Sequence, residues 1–122
     1  MKALDVGCGI GGPMRNIAKF SEASITGINN NDYQIKRASR INEQNGVGHL
    51  CSFILSDFMT LKVAPRSYDA AFAIEATCHS PDKTACFREI YKTLKPGGLF
   101  CVYEWCMTDK YDPNVRRSLK RK

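Results

Sequence analysis

Apolar residues along the chain come in short blocks separated by polar stretches, and two kinds of spacing alternate. Compact runs of strand length occur at Ala3–Val6, at Ser24–Ile28, at Cys51–Leu55, at Tyr68–Ile74 and at Leu99–Tyr103. Near-continuous apolar runs of this length fit strands buried on both faces of a parallel sheet. Between them the apolar positions recur with helical period. A helix is expected behind Pro13, a second over Tyr33 to Gln44 with Ile35, Ala38 and Ile41/Asn42 on one side, and a third carrying Ala85, Ile90, Tyr91 and Leu94.

The breaks between blocks carry the expected punctuation. Pro13 suits a first helical turn, where its missing N–H costs nothing. In Asn29-Asn30-Asn31-Asp32, either Asn31 or Asp32 can cap the second helix, and Asn45-Gly46-Val47-Gly48 stops it. Ser80 is the expected cap of the third helix with Pro81 at its first position, and Lys95-Pro96-Gly97-Gly98 is expected to end it. Strand–helix alternation of this kind implies a parallel sheet with right-handed crossovers. Ligands of such sheets bind beyond the carboxyl ends of the strands. Those ends are Gly7–Gly12, Asn29–Asp32, Asp57–Phe58, Glu75–His79 and Glu104–Trp105, so the polar clusters fall on one edge.

The first of these edges is the most telling. Leu4 to Gly12 reads LDVGCGIGG, a strand breaking into a glycine turn where a ligand can lie against bare backbone. Gly7, Gly9 and Gly12 satisfy G-x-G-x-x-G, the dinucleotide fingerprint. Gly7, Gly9 and Gly11 satisfy G-x-G-x-G, and with Asp5 ahead of them they resemble motif I of the S-adenosylmethionine-dependent methyltransferases. A dinucleotide site needs an acid after the second strand for the ribose, and here Asn29 stands in its place. The balance favours the methyl donor.

Composition narrows the class further. With 122 residues, 43% of them hydrophobic and 25% charged, the chain has the values of one globular domain. No run approaches the roughly 18 apolar residues of a membrane span, and no leader precedes the first strand, so reduced thiols and a cytoplasmic setting are expected. The net charge of +6 is uneven: Arg116, Arg117, Lys120, Arg121 and Lys122 follow the last acid, Asp112, and leave a nearly neutral body. A core over residues 1–113 and a solvated basic tail over 114–122 follow, without a basic stripe that would argue for nucleic acid. The six cysteines form no C-x-x-C pair, and several lie in apolar runs where the thiol acts as a small hydrophobe.

Each remaining cluster can carry chemistry. Asp57 can accept from an adenine amine while Phe58 offers an apolar wall, and Asn29 and Asn30 can reach ribose hydroxyls. Glu75 and His79, in IEATCH, are a candidate pair for proton handling; a Cys78–His79 dyad is disfavoured because neighbours in an extended stretch face opposite ways. Tyr103, Glu104 and Trp105 can form an aromatic, acid-rimmed wall for an apolar or cationic species.

Taken together, LDVGCGIGGP, GINNNDYQI, SDFM, AIEATCHSPD, EIYKTLKPGG and YEWCMTDKYD resemble, in order and spacing, the sterol C24-methyltransferases. The resemblance runs from about Ala3 to Pro113. It implies a Rossmann-like α/β core with a mostly parallel sheet limited to five strands, binding S-adenosyl-L-methionine and transferring its methyl group to the side-chain alkene of a Δ24 sterol. It implies cofactor contacts from Asp5, Gly7, Cys8, Gly9, Gly11, Asn29, Asn30, Gln34, Asp57 and Phe58. Glu75 and His79 would serve the cation and proton-loss steps, and Tyr103, Glu104 and Trp105 would line the sterol pocket. Work in the cytoplasm or on the cytoplasmic face of the endoplasmic reticulum is implied, with at most peripheral membrane contact. The family's segment upstream of motif I and its later strands have no counterpart here. The alternative expectation is therefore a truncated, non-catalytic module that binds cofactor or self-associates through its fifth strand.

Overall fold

A computed structural model describes residues 1–57, 60–74 and 82–103. Its elements run β1 (Lys2–Val6), α1 (Gly12–Ser21), β2 (Ser24–Asn29), α2 (Asp32–Gln44), β3 (Cys51–Leu55), β4 (Tyr68–Ile74), α3 (Lys83–Thr93) and β5 (Leu94–Tyr103). The strands form one sheet in the order β3-β2-β1-β4-β5, and all four pairings are parallel. The chain works outward from β1 to β3, then returns to the other side of β1 with β4. The carboxyl ends of β1 and β4 are thus a topological switch point, where such sheets open a crevice.

Side-chain alternation along β1 sorts the interior into two layers. Leu4 and Val6 join Ile28, Ala71, Ala73 and, from α3, Cys86 and Ile90. On the other face Ala3 joins Ile25 with Met14 and Ala18 of α1. Asp5 shares the face of Ala3, so an acid is carried into the α1 layer one residue before the strand ends.

Cap chemistry settles two boundaries. Asn31, extended at φ −118°, caps α2 by accepting from the Gln34 amide at 3.1 Å, which leaves Asp32 as the first helical residue. The expected cap of α3 is corrected: Asp82, not Ser80, precedes the helix, and its Oδ1 accepts from the Ala85 amide at 3.1 Å. A carboxylate is the stronger acceptor for the exposed amides of a first turn. Ser80 and Pro81 lie outside the described residues.

The expected turn at Lys95–Gly98 is also corrected. The helix ends at Thr93, and Leu94 already pairs with Tyr68 as the first residue of β5. The next pair is Ala70 with Leu99, so β5 carries a bulge through Lys95–Gly98. Pro96 forces Lys95 toward extended backbone and has no N–H for a ladder, and Gly97 bends the strand at φ +80°. Phe100 beyond the bulge meets Phe87 of α3 edge to face at 5.7 Å.

Among the described residues no helix is long and apolar enough to cross a membrane. Their thiols divide by place: Cys8 and Cys86 are buried, Cys51 is half-buried and Cys101 is exposed on β5, so Cys101 does not act as a core hydrophobe.

Candidate functional site

The turn that follows β1 is shaped by three left-handed residues. Gly7, Gly9 and Gly11 have φ of +79°, +55° and +85°, whereas Gly12 has entered α1 with an ordinary helical backbone. The backbone therefore requires glycine at 7, 9 and 11, the G-x-G-x-G reading, and not at 12. A Cβ at Gly9 would meet no atom of the described residues within 4 Å, so among them this side of the turn leaves its backbone approachable.

Hydrogen bonds fix the turn from several directions. The Gly7 and Cys8 amides both donate to the Ile28 carbonyl, at 3.0 and 2.9 Å, and the Gly11 amide closes on the Cys8 carbonyl at 2.9 Å. Asn29, buried at the end of β2, donates from Nδ2 to the Gly9 carbonyl and to Gln34 Oε1, each at 3.0 Å. Its Oδ1 accepts from the Asn31 amide at 2.9 Å. Both amide protons of Asn29 are thus used within the protein, tying the turn to the first turn of α2. Arg15 grips the Ile10 carbonyl with both Nη atoms, at 3.3 and 3.1 Å, and donates to Asn42 Oδ1 at 2.7 Å.

Two buried groups under the turn have displaced titrations. Asp5 is 2% exposed, and its Oδ2 has no hydrogen-bond partner among the described residues. Burial pushes its carboxyl up to about 7, because ionisation there forfeits hydration. The Cys8 thiol is pushed up to about 12, first by burial and then by the nearby charge of Asp5. Such a thiol stays protonated and packs as a small apolar group. Its seat is Gly27 of β2, where a Cβ would come within 2.8 Å of Cys8 Sγ.

The loop after β3 adjoins this edge. The Ser56 amide donates to the Asn29 carbonyl at 3.0 Å. The buried Ser56 hydroxyl donates to the Thr60 carbonyl at 2.9 Å and accepts from the Lys62 amide at 3.1 Å. Asp57 is held at the mouth of this small turn, exposed and bridged to Thr60.

The structure thus links Gly7, Cys8, Gly9, Gly11, Asn29 and Gln34 by hydrogen bonds, with Asp5 buried within electrostatic reach of Cys8 and Asn30 exposed. Tyr103 lies at the far end of β5, opposite Ile74 and 66% exposed. Phe58, Glu75, His79, Glu104 and Trp105 fall outside the described residues. Arg15, Asn42 and Ser56 support the turn and its neighbouring loop although the sequence marks none of them as a site residue. A signal existed for Asn42, a polar residue in the buried stripe of an amphipathic helix.

A five-stranded doubly wound parallel sheet with this turn at its switch point defines a Rossmann-like cofactor-binding core. The chain matches the family described as "Methyltransferase domain" over residues 4–102, and it belongs to that family. It is 59% identical over 114 residues to the cycloartenol-C-24-methyltransferase 1 of Oryza sativa subsp. japonica, covering 93% of this chain and 33% of that protein. It is 57% identical over 120 residues to the sterol 24-C-methyltransferase erg6 of Aspergillus fumigatus, covering 96% and 32%. The chain thus spans about a third of the length of these relatives.

Among solved structures, the [4+2]-cyclase SpnF superposes with a TM-score of 0.82 at 31% identity, over 94% of this chain and 43% of that one. The geranyl diphosphate C-methyltransferase of Streptomyces coelicolor A3(2), solved with S-adenosyl-L-homocysteine, superposes at 0.86 with 18% identity, over 98% and 44%. The second likeness bears on the fold alone. A cyclase on the same core shows that chemistry must be argued from the site.

Proposed function

We propose that this chain holds S-adenosyl-L-methionine and forms the cofactor-binding part of a sterol 24-C-methyltransferase acting on a Δ24 sterol. The observation that carries the reading is the left-handed turn at Gly7, Gly9 and Gly11 beside a buried carboxylate oxygen that has no partner among the described residues. The pair suits a ligand with a cationic amino-acid end and an extended body pressed on bare backbone. Asp5 would accept from the ammonium, and Gly9 would face the ligand with backbone alone. Asp57 and Asn30 would receive the nucleoside, with Phe58 against the adenine.

When bound, the cofactor supplies an electrophilic methyl group on a sulfonium. The chain's own residues would do the rest. Methylation of an alkene leaves positive charge on the sterol side chain, which water must not reach. Tyr103, Glu104 and Trp105 would wall that side chain, and Glu75 and His79 would stabilise the charge and receive the departing proton. Relatives named for cycloartenol and sterol methylation, at 52–59% identity, support this acceptor. A membrane-borne substrate would place the work at the cytoplasmic face of the endoplasmic reticulum.

Titration calorimetry of the 122-residue chain tests the cofactor. Heat of binding is expected with S-adenosylmethionine and its demethylated product, and none with NAD. Gly9→Val should remove it, since a side chain would stand on the approachable face and strain a φ of +55°. Binding of NAD without response to the methyl donor would sink the reading.

A further inference from the structure

The tip of the glycine turn is gripped from behind by a side chain that no motif marks. Arg15 leaves the first turn of α1 and spreads its guanidinium over two acceptors on different elements. One is the Ile10 carbonyl at the apex of the turn, and the other is Oδ1 of Asn42 on α2. Asn42 is 1% exposed, and its own Nδ2 lies 3.8 Å from Met14 Sδ, so it cannot swing away from the fork. Ile10 is 40% exposed, so its carbonyl would be free to turn to solvent without the Arg15 fork.

We propose that Arg15 and Asn42 are positioning residues, a latch that holds the glycine turn in its ligand-ready shape by fixing the Ile10 carbonyl to α2. The link to ligand binding rests on the cofactor reading above. Three left-handed residues in five leave the turn with little intrinsic preference for one conformation, since glycine visits both signs of φ freely. A ligand that needs one shape binds more weakly in proportion to the fraction of chains that hold it. Asn29 secures the near side of the turn at the Gly9 carbonyl, and Arg15 secures the apex. The function belongs to the planar fork more than to the charge, because Ile10 and Asn42 both present neutral oxygens. A lysine keeps the charge and loses the simultaneous reach to both.

The test compares wild type with Arg15→Lys, Asn42→Leu and Asn42→Asp in the 122-residue chain. The ligand-free readout is hydrogen exchange at the Gly7, Cys8 and Gly11 amides, with the Ile25 amide of β2 as reference. The ligand readout is the affinity for S-adenosylhomocysteine. Arg15→Lys should speed exchange at the turn about tenfold while the Ile25 amide stays within twofold, and should weaken the ligand about tenfold. Asn42→Asp keeps the acceptor and should retain turn protection and affinity even if Asn42→Leu fails to fold. Turn exchange in Arg15→Lys equal to wild type overturns the latch. So does equal acceleration at Ile25, which would make Arg15 a general support of the fold. Absence of ligand binding in wild type with the expected exchange pattern would uphold the latch and remove the cofactor reading instead.

Discussion

Around β1, β2 and β3 the buried interior holds four polar side chains, Asp5, Asn29, Asn42 and Ser56; around β4, α3 and β5 it holds only Thr93 among the described residues. Thr93 spends its hydroxyl on its own helix, donating to the Ile90 carbonyl at 2.6 Å. Asn29 and Asn42 bond across elements, the Ser56 hydroxyl closes the loop after β3, and Asp5 Oδ2 has no partner among the described residues. Exposed apolar side chains occur in both halves, at Phe20 and Tyr33 in the first and at Leu99 and Tyr103 in the second. Buried polar groups are costly unless bonded, so a region that keeps four is organised for something other than stability. One half of the sheet adds a fixed polar geometry to its apolar core, and the other, among the described residues, is apolar inside but for Thr93.

That contrast can be broken first on the apolar side. Ile90→Ala should destabilise the chain by about 2–5 kcal/mol in urea unfolding, the usual cost of truncating a fully buried aliphatic side chain. Under conditions where the variant stays folded, its affinity for S-adenosylhomocysteine should remain within about twofold of wild type. A parallel collapse of affinity would mean that the two halves do not divide the labour.

The polar side gives a pH signature. Asp5 has its carboxyl raised to about 7 from an ordinary 3.8, so the folded chain binds more protons than the unfolded one between those values. Stability should therefore fall as pH rises from about 4 to about 7, by roughly 4 kcal/mol at most. Asp5→Asn should flatten that slope and be the more stable protein at pH 8. A cationic ligand at Asp5 would favour its charged form, so binding near pH 6.5 should release a proton, seen as buffer-dependent calorimetric heat. Identical pH profiles for wild type and Asp5→Asn would refute the assignment.

Smaller effects refine the picture. Asp57→Ala should weaken cofactor binding by about 1–3 kcal/mol, the loss of one charge-assisted hydrogen bond. Lower thermal stability with unchanged affinity would make Asp57 a turn residue. Glu89, half-buried, accepts from the Leu61 amide and pairs with the exposed Lys92, so Glu89→Gln, which keeps an acceptor, should cost about 1 kcal/mol or less. Any larger thermal shift would show that the β3–β4 loop depends on α3.

The sequence made most of this architecture legible because strand-length apolar runs and glycine breaks are local signals. Five strands, their parallel pairing and the part of the polar edge at Gly7–Gly12, Asn29–Asp32 and Asp57 all follow from them. What stayed hidden was decided by competition or by distance. Ser80 and Asp82 are both good caps, and only the register of α3 shows which amide is reached. Lys95–Gly98 has the composition of a terminator, yet pairing of Leu94 with Tyr68 draws it into β5. Asn29 reads as a ribose ligand in sequence, whereas in space its amide protons are spent on Gly9 and Gln34. The Arg15–Asn42 contact joins residues 27 apart, beyond any local pattern.

The position of β1 at the centre of the sheet also has a consequence for the order of assembly. Its β2 side can be completed once residue 29 exists, but its β4 side waits for Ala70–Phe72. On a ribosome delivering residues one at a time, β1, α1, β2, α2 and β3 are available before β4 appears. The half with the stitched turn should therefore condense first and serve as the template on which β4 and β5 dock, since nearby contacts close at lower entropic cost. Substitutions in β1 and β2 should then slow folding, while those in α3 and β5 should chiefly speed unfolding.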